Sequence, residues 1–320
     1  MTPQTPINSG FGHSSTAREV VAGIDLSGRT AVVTGGYSGI GVETVRALAG
    51  AGARVIVPAR DKAKAEANLK DVDGAVTLAA MDLGDLDSVR RFAADVVAAG
   101  PLHLLINNAG IMACPETRIG PKGWEQQFAV NHIGHFVLND ALAPALAAAN
   151  GARVVALSST GHRISGIRWE DVHFTAEPYD KWQAYGQAKT ANALFAVELD
   201  KRMKGAGVRV FSVHPGGIMT PLQRHLPKEE MVALGWLGED GEISEIAKQL
   251  FKNPEQGAAT TVWAATSPKL DGMGGAYCED CDIAQAATDD SPPYAHVRAH
   301  AVDPEAATRL WAVTEEMLAG

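Results

Sequence analysis

Tyr185 and Lys189 stand four residues apart in the stretch Tyr185-Gly186-Gln187-Ala188-Lys189, which reads as helix. That spacing puts a phenol and an ammonium on one helical face. A free phenol keeps its proton up to a pH of about 10. A nearby ammonium stabilises the phenolate and brings proton exchange closer to neutrality. The chain has 5 tyrosines, so such a pair is weak evidence on its own. It gains weight from what precedes it. Ser158 and Ser159 close the apolar run Ala152-Arg153-Val154-Val155-Ala156-Leu157. The carboxyl ends of strands are where open α/β sheets place ligand chemistry. Asn131 lies inside a helical stretch, where asparagine is unfavourable unless its side chain has a specific partner.

A second group of residues suits a dinucleotide. Thr34-Gly35-Gly36-Tyr37-Ser38-Gly39-Ile40-Gly41 follows the strand-like run Thr30-Ala31-Val32-Val33 and leads into a helical pattern. Glycines let the backbone turn tightly and admit a diphosphate without meeting a Cβ. The free N–H groups opening the next helix then receive the negative charge. An ordinary glycine turn is the competing reading. The second strand, Ala53 to Pro58, is followed by Ala59-Arg60-Asp61. An acidic side chain here would bind ribose hydroxyls, whereas an arginine would bind a 2′-phosphate. Arg60 therefore points to NADP. Asp61 is the competing signal for NAD, but it stands where it would cap the helix from Lys62. Asp82-Leu83 ends the third strand, and an aspartate there suits the cap of the helix from Asp85, a role that does not exclude a cofactor contact.

Strand and helix alternate along the rest of the chain, as in a doubly wound parallel sheet. Strand four, Leu102 to Ile106, runs into Asn107-Asn108-Ala109-Gly110, then Ile111, Met112 and Cys114. A long helix is expected from about Pro121 to Ala149, and another over residues 182–204. Strand six, Val208 to Val213, precedes His214-Pro215-Gly216-Gly217-Ile218-Met219-Thr220. A last short strand is expected near Gly275-Ala276-Tyr277, and a final helix over 303–318. The first twenty residues read as a polar, partly disordered arm, with Ser14-Ser15-Thr16 capping a short helix that ends near Gly23.

The bulk properties exclude several classes. The chain has 320 residues, 46% hydrophobic and 20% charged, with net charge −9. That charge disfavours a nucleic-acid backbone or an anionic membrane as partner. No apolar run approaches a membrane span, and the first twenty residues carry no secretory pattern. A cytosolic protein is expected. The 3 cysteines make no disulfide framework. His132 and His135 lack a third ligand nearby, and Cys278-Glu279-Asp280-Cys281 is a solitary CxxC, so no metal site is expected.

Taken in order, the Thr34–Gly41 turn, Asn107-Asn108-Ala109-Gly110, Asn131-His132-Ile133-Gly134-His135-Phe136, Ser158-Ser159, the Tyr185/Lys189 pair and Pro215-Gly216 resemble the short-chain dehydrogenase/reductase family. The retinol-dehydrogenase-like branch is nearest, and the resemblance runs from about Ser14 to Ile283. Ala188 departs from the serine often found before the lysine. The resemblance implies one Rossmann-type α/β domain with about seven strands in the order 3-2-1-4-5-6-7. The arm would span 1–23 and the dehydrogenase domain 24–290, with a substrate-covering insertion at about 221–253 and a tail over 291–320. It implies Asn131, Ser159, Tyr185 and Lys189 as catalytic residues, with Ser158 as the alternative serine. It implies cofactor contacts from Gly35, Tyr37, Ser38, Gly39, Ile40, Gly41, Arg60, Asp82, Leu83, Asn108, Ala109, Gly110, Tyr185, Lys189, Pro215, Gly216, Ile218 and Thr220. The expected activity is NADP(H)-dependent, reversible hydride transfer to a hydrophobic ketone or aldehyde, or from an alcohol. Two alternatives stand beside it: a catalytically silent NADP(H) sensor or scaffold, and a sugar-nucleotide epimerase, which the glycine spacing disfavours. A homodimer or tetramer is left open.

Overall fold

Three strands are buried along their whole length: β1 (Thr30–Val33), β4 (Leu104–Asn107) and β5 (Arg153–Leu157). Continuous burial, rather than alternation, is what a parallel sheet covered on both faces requires. In the computed structural model, which describes residues 2–292 and 294–319, these strands form the middle of an eight-stranded sheet. β2 (Arg54–Ala59) and β3 (Val76–Ala80) lie on one side; β6 (Arg209–His214), β7 (Ala276–Glu279) and β8 (Asp282–Ile283) lie on the other. Strands β1 to β7 are parallel and follow the expected order, 3-2-1-4-5-6-7.

β8 is an addition, antiparallel to β7. Its turn is Asp280-Cys281, with φ of 46° and 59°. Two left-handed residues in a two-residue hairpin match the sheet's twist. A two-residue strand leaves no periodic trace in the sequence.

The helices are α1 (Ala17–Val21), α2 (Ile40–Gly50), α3 (Lys62–Leu69), α4 (Leu86–Ala99), α5 (Gly134–Ala148), α6 (Lys181–Met203), α7 (Lys228–Ala233), α8 (Glu245–Leu250), α9 (Pro254–Thr266) and α10 (Pro304–Ala319). α1, α2 and α9 pack on one face of the sheet around Trp263 and Leu48. α4, α5 and α6 pack on the other around Phe92, Leu142 and Phe195. The sheet reverses direction of winding between β1 and β4, which opens a crevice at the strand ends. None of the described helices is long and apolar enough to cross a membrane.

The structure corrects the sequence in two places. The long helix does not begin at Pro121. Arg118–Ile119 and Trp124–Glu125 instead pair as a short antiparallel ribbon, with Pro121 in its turn. Helix starts at Gln126, where the Glu125 carboxylate accepts the N–H groups of Gln127 and Phe128. A π-turn, Ala129–Ile133, then precedes α5. Second, the N-terminal arm is held against the sheet edge. The Gln4 side chain pairs with Tyr277 like a piece of strand: its Oε1 accepts from Tyr277 N at 2.8 Å and its Nε2 donates to Tyr277 O at 3.1 Å. Asp282 accepts from Ile7 N and Ser9 N at 2.8 and 3.0 Å. A glutamine amide carries the same donor and acceptor as the backbone, so it can cover an open edge. The short helix is capped as expected, by Thr16 with Glu19.

Asp282→Ala removes the shared acceptor of Ile7 and Ser9. Unfolding free energy should fall by about 2 kcal/mol, and limited proteolysis should cut the arm before the sheet unfolds. An unchanged denaturation midpoint with an uncut arm contradicts this account of the strap.

Candidate active site

The glycine turn is pressed directly onto the segment after β4. A Cβ on Gly35, where φ is 63°, would lie 2.9 Å from the Ala109 Cα. Thr34 joins the two segments. It is fully buried, its hydroxyl accepts from Ala109 N at 2.9 Å, and its carbonyl accepts from Asn108 Nδ2 at 2.8 Å. Gly39 gives α2 no side-chain cap. Gly41 N and Val42 N turn back onto Ser38 O and Gly39 O at 3.1 and 3.3 Å, and the positive end of the α2 dipole, with no side chain over it, faces the place an anion would take. Among the described residues, Asn108 Oδ1 is buried without a partner. A closely packed glycine cradle, an uncapped helix start and an orphaned amide oxygen together fit a bound dinucleotide.

Tyr185 and Lys189 project from α6 into the same crevice, each only 4% exposed. The Lys189 ammonium donates to Leu157 O at 3.0 Å and lies 5.6 Å from the centre of the Tyr185 ring. Burial pushes the Tyr185 phenol up to about 12, opposed by a hydrogen bond with Ser159. Burial also pushes Lys189 down to about 8. The expected pull of the ammonium on the phenol does not set its shift; loss of water dominates for both groups and drives each toward its neutral form.

The two serines separate clearly. Ser158 is 2% exposed and its hydroxyl donates to Lys189 O at 2.8 Å. Ser159 is the hydroxyl beside Tyr185, and its Oγ accepts from Gly161 N at 3.0 Å. Gly161 is also the floor under the phenol: a Cβ there would lie 2.7 Å from Tyr185 Cε1.

Asn131 sits in the π-turn, a local distortion frequent at functional sites. Its amide pairs with both backbone groups of Ile111, each at 2.9 Å. Its Oδ1 and the Lys189 ammonium converge on Gly110, where a Cβ would lie 3.4 and 3.5 Å from them. The Asn131 carbonyl is 2.9 Å from His135 Nδ1, and His135 Nε2 is 2.9 Å from the Thr34 hydroxyl. A carbonyl only accepts, so His135 carries its proton on Nδ1 and Thr34 donates to Nε2. Burial pushes His135 down to about 4 and His132 to about 3, leaving both neutral. They act as hydrogen-bonding residues, His132 through Thr314. No metal-competent group of three His, Cys, Asp or Glu residues occurs among the described residues. Cys278 and Cys281 are buried free thiols, and burial pushes Cys281 up to about 11.

All the predicted site residues except Gly41 and Asn131 line one cleft of about 1440 Å³. Gly41 lies behind it, where a Cβ would meet Gly35 O at 2.3 Å, and Asn131 is fully buried. At the outer end Arg60 is 64% exposed, 3.8 Å from Asp82. Lys64, one helical turn on, lines the same end and had not been singled out by pattern. Asp61 caps α3 through Lys64 N, as expected. Asp82 is not a helix cap: it accepts from Gly84 N, and Asp85 caps α4. Thr220 lines the cleft and accepts from Leu222 N. Over the inner end, the segments that flank α7 and α8 bring Leu222, Trp236 and Phe251. Tyr185, Trp182, Trp236 and Phe251 form an edge-to-face series with ring centres 6.5, 6.3 and 5.9 Å apart. Glu279 and Tyr294, from the far end of the chain, complete the lining; no local pattern marks them.

Residues 29–231 match the family model described as short chain dehydrogenase. This chain belongs to the short-chain dehydrogenase family. The protein is therefore an oxidoreductase that works with a nicotinamide cofactor. It is 46% identical over 293 residues to a Streptomyces antibioticus protein named "Probable oxidoreductase", covering 90% of this chain and 97% of that one. It is 36% identical over 301 residues to retinol dehydrogenase 12 of Mus musculus, covering 92% and 88%. The latter likeness places this dehydrogenase in the retinol-dehydrogenase-like branch. A solved structure of an uncharacterised Mycobacterium paratuberculosis protein superposes with a TM-score of 0.71 at 33% identity, covering 95% and 97%.

Gly161→Ala inserts a methyl into the Tyr185 ring. Displacing the phenol should lower turnover by about tenfold or more, with cofactor affinity unchanged in a fluorescence titration. Full turnover in a folded variant contradicts the role of Gly161 as the floor of the phenol site.

Proposed function

We propose that this dehydrogenase transfers hydride reversibly between NADP(H) and a hydrophobic ketone, aldehyde or alcohol. The observation that carries the reading is the convergence of Tyr185, Ser159 and Lys189 at the inner end of one cleft, under an aromatic lid. At its outer end the cleft offers Arg60 and Lys64. The Gly35–Gly41 turn and the start of α2 would hold the diphosphate. Arg60 and Lys64 would take the 2′-phosphate, and Asp82 and Leu83 the adenine. Asn108, Ala109, Gly110 and Lys189 would face the nicotinamide ribose, and Pro215, Gly216, Ile218 and Thr220 the nicotinamide end. The bound cofactor supplies the hydride.

The chain's own residues handle the proton. Tyr185 gives its proton to the substrate oxygen during reduction and takes it back during oxidation. The Ser159 hydroxyl donates to that oxygen and stabilises the charge that develops there. The Lys189 ammonium lowers the cost of the phenolate, and Asn131 holds a water that links Lys189 to solvent. The lid residues Leu222, Trp236 and Phe251 exclude water and select apolar substrates.

The protonation of Lys189 sets the pH dependence. A lysine lowered to about 8 is charged below that value and loses its charge above it. The rate of carbonyl reduction should be level below pH about 7 and fall with one proton's slope above about 8. A rate still level at pH 10 contradicts the need for the ammonium.

Two substitutions test the assignments separately. Tyr185→Phe should keep cofactor binding and lose nearly all turnover; retention of most activity would remove Tyr185 as the proton donor. Arg60→Ala should raise the KM for NADPH about tenfold while leaving that for NADH nearly unchanged. Equal changes for the two cofactors would show that Arg60 does not read the phosphate.

A further inference from the structure

His162 follows Ser159 by three residues, yet its side chain points away from the cleft and is fully buried. Both ring nitrogens are committed. Nδ1 is 2.6 Å from Ser159 O, and Nε2 accepts from Arg298 N at 3.1 Å. A carbonyl only accepts and a backbone amide only donates, so the ring is neutral with its proton on Nδ1. Burial pushes this histidine down to about 4, which favours the neutral ring. Its surroundings hold it on every side. Tyr277 packs against the ring with centres 5.1 Å apart and places its hydroxyl 3.3 Å from Nδ1. His300 Nε2 and Thr190 Oγ1 both reach the His162 carbonyl, at 2.8 and 3.2 Å.

Arg298 belongs to the segment that follows the sheet and forms one wall of the cleft through Tyr294 and Ala295. That wall has two further anchors. Both Glu279 oxygens accept from His296 N, at 2.9 and 3.1 Å, and Arg163 donates to Ala295 O. The imidazole is thus a strut with one end on the peptide of Ser159 and the other on the wall.

We propose that His162 is a positioning residue that sets the Ser159 hydroxyl relative to the substrate oxygen and fixes it to the C-terminal wall, so that the wall governs turnover as well as substrate fit. The proposal rests on the hydride-transfer reading of the same cleft. It gives residues 294–298, far from Ser159 in sequence, a direct mechanical connection to the reacting end.

The strut can be cut at either end. Arg298 has φ of −71°, which proline adopts at about −65°, so Arg298→Pro deletes the N–H without bending the chain. Arg298→Ala controls for the lost side chain. His162→Leu removes both hydrogen bonds, and His162→Asn restores a donor near the Nδ1 position. Arg298→Pro and His162→Leu should each lower kcat about tenfold or more, since a misplacement near 1 Å can cost up to about a hundredfold. The cofactor Kd should not change, and the primary isotope effect from 4-deuterated NADPH should persist, placing the loss in the hydride step. Arg298→Ala should stay near wild type, and His162→Asn should recover much of kcat.

Turnover within about twofold of wild type in folded Arg298→Pro overturns the proposal, as does an Arg298→Ala loss equal to that of Arg298→Pro. A readout independent of activity is the crystal structure of Arg298→Pro, where Ser159 Oγ should leave Gly161 N. An unmoved Ser159 overturns the proposal. A wild-type protein that reduces no carbonyl refutes the hydride-transfer reading instead, and the Ser159 position still decides whether the strut exists.

Discussion

The site depends first on the Thr34 hydroxyl. It accepts from Ala109 N, donates to His135 Nε2, and sits on a residue whose N–H reaches Ile106 O. Through this group three separate pieces meet: the glycine turn after β1, the small-residue segment after β4, and the π-turn that carries Asn131. In the dry interior each hydrogen bond is strong, and each would be costly to leave unmade. The chain therefore cannot place the glycine turn without also placing Asn131 and, behind Gly110, Lys189. A valine has nearly the shape of threonine but neither bonds to His135 nor accepts from Ala109, so the constraint is chemical rather than steric.

Burial has two consequences for the proposed reacting groups. It raises the cost of charge on both Tyr185 and Lys189, which is why the phenol lies high and the ammonium low. It also makes each remaining polar contact count for more. Ser159 is the polar group that opposes the desolvation of Tyr185 directly, so its placement matters more than that of Ser158, whose hydroxyl is used on Lys189 O. The lid continues this environment outward. The edge-to-face series from Tyr185 through Trp182 and Trp236 to Phe251 extends the apolar surround into α7 and α8, while Glu230 of α7 holds Trp182 Nε1 at 2.8 Å.

What the sequence made legible was local chemistry. The strands and the glycine turn follow from runs of β-branched residues and from glycine spacing, both short-range features, whereas the strand order came only with the family resemblance. The Tyr185/Lys189 pair was readable because a helix turns the spacing into proximity. The pairings that arise only on folding left no such trace. His162 meets Arg298, Gln4 meets Tyr277, and Glu279 meets His296, each across a sequence distance at which no periodicity operates. Only the second half of the ribbon, from Pro121 to Glu125, falls within the helix expected from the sequence, because two-residue strands carry no alternation to mark them. Asp82 shows the limit of propensity: two aspartates three apart both suit a cap, and only the register of α4 selects Asp85.

The proposed function makes the cleft a hydride-transfer site for apolar carbonyls. Absorbance-followed oxidation of NADPH by the wild-type protein, against ketones and aldehydes graded in size and polarity, tests it most directly. Turnover should rise with apolar surface until the lid pocket is filled, and small polar carbonyls should react little. Tight NADPH binding with no oxidation by any member of the series would contradict this reading.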